Sequence, residues 1–190
     1  MLVLASSSPY RRSLLERLRR PFTVAVPDVD ESPLPSEIPQ ATALRLAGSK
    51  ARAVSAAYRD ALIIGSDQVA VLDGQPLGKP GSREGALAQL GAMRGRTVVF
   101  HTAVCVFDSA SGSIQVEDVP TTVRFRDFSD AQAEHYVEVE PAFDCAGSAK
   151  IEALGIALVE AVDSTDPTAL VGLPLIALTT MLGRAGYDVL

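Results

Sequence analysis

The chain predicts an α/β protein with a mixed sheet, and three observations carry that prediction. Short β-forming runs alternate with helix-period segments up to about residue 70, a β-α-β-α-β opening that favours parallel pairing. Two long β-rich runs, 98–107 and 114–125, flank a Ser111-Gly112 turn and pair antiparallel. The 190 residues, 47% hydrophobic, suffice for one well-cored domain, 1–190, without repeats or low-complexity segments.

Leu2-Val3-Leu4-Ala5 is a short buried strand. Ser8 as N-cap and Pro9 at the first helical position open a helix whose apolar face is Leu14, Leu15 and Leu18. Residues 22–26 form the second strand, and Leu44, Ala47, Ala51 and Val54 recur at helical spacing between residue 40 and about residue 58. The run Leu62-Ile63-Ile64-Gly65-Ser66-Asp67-Gln68-Val69 is the third strand, followed by an Asp73-Gly74 turn and Gly78-Lys79-Pro80. Residues 84–93 form a helix, Ser129 caps another reaching 137, residues 156–162 form a last strand, and a closing helix spans 173–182.

Charge and composition exclude several function classes. A net charge of −6 argues against a broad nucleic-acid surface, because binding a polyanion needs many Lys and Arg contacts. The longest apolar stretch, 169–182, is interrupted by Gly172 and Pro174 and is too short for a membrane span, so no membrane partner is expected. Two cysteines, Cys105 and Cys145, are too few for a disulfide framework, and the N-terminus lacks a leader pattern; the expected location is cytoplasmic.

Five stretches carry chemistry. Asp67 and Lys79, at adjacent strand ends, suit displacement at phosphorus: the carboxylate takes a proton from water or holds a metal, and the ammonium neutralises phosphate charge. Ser6, Ser8, Arg11 and Arg12 sit where a strand runs into a helix N-terminus, a natural anion site. The arginines work against the helix dipole there, which implies an anion between them. Asp28, Asp30 and Glu31 crowd an acidic loop able to offer oxygen ligands to a hard cation. Lys50 flanks a helix stripe and either snorkels to solvent or reaches into a cleft. The small-residue stretch Cys145-Ala146-Gly147-Ser148-Ala149-Lys150 allows close approach of a ligand to the backbone. His101 and Cys105 share a strand face, and core filling accounts for them better than a thiol site.

Ser6-Ser7-Ser8-Pro9-Tyr10-Arg11-Arg12, Asp28-Val29-Asp30-Glu31, Lys50-Ala51, Gly65-Ser66-Asp67-Gln68-Val69, Gly78-Lys79-Pro80, Cys145-Ala146-Gly147-Ser148-Ala149-Lys150 and Gly172-Leu173-Pro174 together resemble the successive motifs of the Maf family. The resemblance runs almost end to end. It implies an elongated mixed sheet flanked by helices, two lobes around a central cleft, similar to inosine triphosphate pyrophosphatases. It also implies a cytoplasmic enzyme that uses a divalent metal, Mg²⁺ or Mn²⁺, to release pyrophosphate from nucleoside triphosphates, and a homodimer.

By the same resemblance Asp67 is the proton acceptor, with Glu31, Lys50 and Lys79 around it. Glu31 and Asp67 are the metal ligands, their division of labour open. Ser6, Ser8, Arg11, Arg12 and Lys150 hold the substrate. Tyr10, Gln68 and Glu152 match the subgroup acting on 7-methyl-GTP rather than that acting on dTTP and UTP, while Ala149 departs from the aromatic commoner there. The family's link to arrest of septum formation supplies a second expectation, a nucleotide-binding regulator of cell division.

Overall fold

The computed structural model describes all residues, 1–190. Seven strands form one sheet: β1 (Leu2–Ala5), β2 (Phe22–Ala25), β3 (Leu62–Leu72), β4 (Gln75–Leu77), β5 (Thr97–Asp108), β6 (Ile114–Phe125) and β7 (Val159–Ser164). The spatial order is β2-β1-β3-β5-β6-β7, with β4 folded back on β3. β1 pairs parallel with β2 and β3; the remaining pairs are antiparallel, so the sheet is mixed. The helices are α1 (Pro9–Glu16), α2 (Pro39–Ala53), α3 (Arg83–Met93), α4 (Asp130–Val139) and α5 (Leu175–Arg184). None is long and apolar enough to cross a membrane.

Strand alternation assigns the faces. Leu2, Leu4 and Ile64 pack with Leu14 and Leu15 of α1 and with Leu178, Met181 and Leu182 of α5. Val3, Ala5 and Ile63 point the other way, onto Ala43, Ala47 and Ala51 of α2. A third core gathers Leu72, Phe100, Val123 and Phe125, from the opposite ends of the same long strands, with Leu90 and Met93 of α3 and Tyr136 and Val137 of α4. β3, β5 and β6 therefore run through two packing regions, and Ser66-Asp67-Gln68 falls between them. The connections from β1 and β2 leave on opposite faces, which opens a crevice at the carboxyl end of β1 and beside the middle of β3, at the kind of switch point where open α/β sheets take their ligands.

The end of α2 and the start of the last strand differ from the sequence reading for local reasons. α2 stops at Ala53, with a 3₁₀ turn at Ser55–Ala57, because the Ser55 hydroxyl donates to the Arg52 carbonyl and offers the backbone another route. The last strand begins at Val159 instead of 156, since Leu154–Leu158 is a 3₁₀ turn in which Gly155 packs on the Lys150 backbone too closely for any side chain.

The acidic loop before α2 is clamped by Arg45, which lies outside the cleft lining. Arg45 donates to both Glu37 oxygens, at 2.7 and 2.8 Å, and to the Ser32 carbonyl at 3.0 Å. The hydrogen bond from Arg45, with the Leu34 N–H and the Thr42 hydroxyl, holds the Glu37 carboxyl at about 2 against an ordinary 4.5. A depressed carboxylate contributes stability that is complete above 4.5 and is lost as pH falls through about 2. The gap in urea midpoint between the wild type and Glu37→Gln is therefore expected to be widest above 4.5 and to close toward 2. A gap independent of pH would contradict the clamp.

Candidate active site

A cleft of about 880 Å³ opens at the crevice, within the size range of small-molecule sites. Its walls bring together Ser6, Ser8, Tyr10, Arg11, Glu31, Lys50, Asp67, Gln68, Lys79 and Glu152, ten of the twelve residues singled out from the sequence. The other two, Arg12 and Lys150, lie outside the lining.

Lys50 is central. It projects from the last turn of α2 and is almost fully buried, with its ammonium 2.7 Å from Asp67 Oδ1 and 2.8 Å from Glu31 Oε1. Of the two sequence alternatives, solvent or cleft, the second holds. The pair expected between Asp67 and Lys79 is replaced by this one. β4 turns back along residues 70–72 of β3, which leaves Lys79 exposed on the cleft wall, where its charge bears on Glu31. Lys50, Lys79 and Arg11 all favour the ionised Glu31 and hold its pKa below the usual value, overcoming the burial that opposes them.

β1 delivers Ser6, Ser7 and Ser8 to the mouth of α1. Ser8 caps the helix by accepting the Arg11 N–H, and its own N–H donates to Ser6 Oγ at 3.1 Å. Arg11 and Arg12 part company, since neighbouring helical residues point about 100° apart. Arg11 Nε donates to the Gly172 carbonyl at 2.9 Å, facing Asp67 and Glu31; burial lowers its pKa and the two carboxylates raise it again. Arg12 is exposed and bonds Glu16 at 3.0 Å, so the expected two-arginine grip reduces to Arg11 in this structure.

The turn before α5 fixes the remaining groups. Buried Asp166 accepts from the Thr168 N–H and hydroxyl and from the Ile176 and Ala177 N–H groups, satisfying the α5 N-terminus. Gly172, at φ 115°, then turns its carbonyl toward Arg11 and toward the Ser66 hydroxyl, 2.9 Å away. The Gln68 amide nitrogen donates to Thr102 Oγ1 and to the Ala169 and Leu170 carbonyls. Neither Ser66 nor the 169–172 turn was marked as a site feature in the sequence; more than 100 residues separate the partners, and only the Gly-Leu-Pro motif hinted at them.

At the other end of the cleft, the Lys150 ammonium lies 5.8 Å from the Tyr10 ring centroid and 3.9 Å from Asp144. Burial raises the Tyr10 pKa, and contact with the Tyr10 hydroxyl raises that of Lys150. Desolvation by the surrounding protein lifts the Glu152 carboxyl above its ordinary range, and Glu140 and Asp144 add to the effect. The thiols are not poised: burial pushes Cys145 to about 11 and Cys105 to about 12. His101 bonds Asp118 at 2.7 Å instead of a thiol.

No three His, Cys, Asp or Glu side chains converge anywhere in the chain. Each of Asp67 and Glu31 gives one oxygen to Lys50, and no protein donor reaches Asp67 Oδ2. Two carboxylates with free oxygens fit a hard cation that takes its other ligands from water and substrate. Asp28 is not in the cleft lining, and Asp30 is taken up by the Ser32 N–H at 2.9 Å, so the acidic loop contributes Glu31 alone.

Fold and site together define an α/β protein with a ligand-sized cleft where three cations face two carboxylates at the carboxyl end of β1 and the middle of β3. The sequence model of the family described as "Maf-like protein" matches residues 1–185, and the chain belongs to that family. The 7-methyl-GTP pyrophosphatase of Burkholderia thailandensis is 63% identical over 98% of this chain and 88% of its own. The proteins of that name from Cupriavidus metallidurans, 60% identical over 98% of this chain and 94% of theirs, and Paraburkholderia xenovorans, 62% over 100% and 94%, are similar to the same degree. Among solved structures, the Ham1 protein of Staphylococcus aureus covers 66% of this chain and 72% of its own at 19% identity, with a TM-score of 0.46.

Proposed function

We propose that the protein hydrolyses 7-methyl-GTP to 7-methyl-GMP and pyrophosphate, in the cytoplasm, clearing a modified nucleotide before it enters nucleic acid. The observation that carries the reading is the Lys50-held Asp67 in a cleft that relatives 60 to 63% identical, named 7-methyl-GTP pyrophosphatase, have reason to share. Lys50 holds Oδ1 of Asp67, leaving Oδ2 to take a proton from water. The water attacks the α-phosphorus in line, the bond to the α,β-bridging oxygen breaks, and pyrophosphate leaves. Arg11 and Lys79 offset the triphosphate charge, with the hydroxyls of Ser6 and Ser8 beside them. Glu31 would hold Mg²⁺ or Mn²⁺, which when bound screens phosphate charge, while Asp67 Oδ2 is kept for the water.

The base end is read by Tyr10, Gln68 and Glu152. 7-Methylguanine carries a delocalised positive charge, which an aromatic face and an ionised carboxylate both favour. The Glu152 carboxyl has a raised pKa, so its charge disappears at higher pH than that of an ordinary glutamate near 4.5. Preference for 7-methyl-GTP over GTP is thus expected to fall as pH is lowered toward that raised pKa, and Glu152→Gln is expected to show little preference at any pH.

The test is pyrophosphate release with Mg²⁺ or Mn²⁺ across 7-methyl-GTP, GTP, dTTP, UTP and CTP. 7-Methyl-GTP should lead. If dTTP and UTP lead, the base assignment fails and the reaction survives. Orthophosphate as product would mean a phosphatase, and binding without turnover a regulator of cell division.

A further inference from the structure

We propose that Gln89 is a positioning residue that ties together the two loops carrying Lys79 and Lys150, so that the phosphate end and the base end of the cleft move as one unit. Gln89 stands on α3, half-buried and outside the cleft lining. Its amide nitrogen donates to the Gly78 carbonyl at 2.9 Å, next to Lys79. Its amide oxygen accepts from the Ser148 hydroxyl at 2.5 Å, two residues before Lys150 and four before Glu152. One planar amide therefore spans both loops.

The orientation of the amide is dictated by its partners. The Gly78 carbonyl only accepts, so an amide turned over would set oxygen against oxygen there; the Ser148 hydroxyl adapts to either end. Both loops need an external hold. Ser148 is fully buried with φ 55°, in the left-handed region that a residue with a Cβ rarely occupies unless its surroundings enforce it. Gly147 beside it, at φ 76°, lies against the Phe100 ring. A third bond, from the Gly81 N–H to the Phe143 carbonyl at 3.2 Å, joins the same two loops, and the Tyr136 hydroxyl receives the Lys150 N–H at 2.9 Å. α3 is itself fixed by Ser82, which accepts the Gly85 N–H at 3.1 Å, so it acts as a rigid strut between the loops.

The effect on turnover rests on the pyrophosphatase reading; the coupling of the loops does not. The experiment compares the wild type with Gln89→Leu, Ser148→Ala and Gln89→Glu, the last of which keeps the Ser148 bond and loses the donor to Gly78. Amide hydrogen exchange is followed in segments 76–81 and 142–150, and kcat and KM are measured for 7-methyl-GTP and GTP. Ser148→Ala is expected to speed exchange in 76–81, to which Ser148 makes no hydrogen bond, and Gln89→Glu to speed it in 142–150. Gln89→Leu is expected to raise KM for 7-methyl-GTP and erode its preference over GTP, lowering kcat/KM by up to roughly a hundredfold, the scale on which a misplacement of about 1 Å acts. The proposal is overturned by exchange changes confined to the altered loop, or by a Gln89→Leu enzyme with wild-type KM and preference. If the wild type releases no pyrophosphate, the reaction assignment fails while the exchange data still decide the coupling.

Discussion

Asp67→Asn is expected to lose pyrophosphate release by roughly 10³-fold, the middle of the range for a positioned general base. The substitution conserves size and leaves an oxygen able to accept from Lys50, so the 2.7 Å bond has a counterpart. What changes is the other position, where Asp67 Oδ2 has no protein donor: an amide NH₂ there donates and has no basic lone pair for a water proton. Lys50 also retains Glu31 at 2.8 Å, so the buried ammonium is not stranded and the stability cost stays near 1–2 kcal/mol. Release of pyrophosphate from 7-methyl-GTP, measured beside a thermal melt, separates the two effects. Activity within tenfold of the wild type would remove Asp67 from the reaction.

Gly65→Ala is expected to be the more damaging change to the fold, although it adds a single methyl group two residues from Asp67. A Cβ at Gly65 would fall inside the contact distance of the Ala47 carbonyl oxygen and would lie 3.0 Å from the Ala51 nitrogen. These are backbone atoms of α2, so no rotamer change relieves the overlap, and the helix must retreat from β3. Overpacking of this kind costs about 3 kcal/mol, which for a chain of this length lowers Tm by roughly 6–12 °C. Because α2 carries Lys50 and β3 carries Asp67, the retreat also lengthens their bond, and activity is expected to fall below what the lost stability explains at temperatures where the variant stays folded. A melt within 2 °C of the wild type, roughly the effect of under 1 kcal/mol, would mean that α2 does not sit as closely as described.

How far the sequence reveals this arrangement depends on the range of the interaction. Local signals are legible: Ser8 and Pro9 open α1, Ser129 caps α4 and is answered by Gln132, and the strands up to Phe125, apart from the short β4, declare themselves by β-forming runs. The run Ile156-Ala157-Leu158-Val159 offers no alternation to distinguish strand from turn, and the deciding contact is between Gly155 and Lys150 backbone. For the site, residue types and motif order identify most of the cleft wall, but not who pairs with whom. Asp67 and Lys79 are joined on paper by a hairpin, yet Asp67 pairs with Lys50 because α2 crosses the sheet close to Gly65. Gln89 carries no chemical motif at all, and its partners at 11 and 59 residues' separation become visible only when both loops are folded onto α3.

On the base-reading role proposed for Gln68, the 169–172 turn has a consequence for which substrates are turned away. Turned over, the Gln68 amide would set its oxygen against the two carbonyls of that turn, so the nitrogen is bound to them and only the oxygen is left unclaimed. A base edge that reaches this oxygen must bring an N–H; one that brings a carbonyl meets lone pair against lone pair. Rejection at that position therefore comes from repulsion built into the backbone of a turn, and no exchange of the turn's side chains would lift it while those two carbonyls stay where they are.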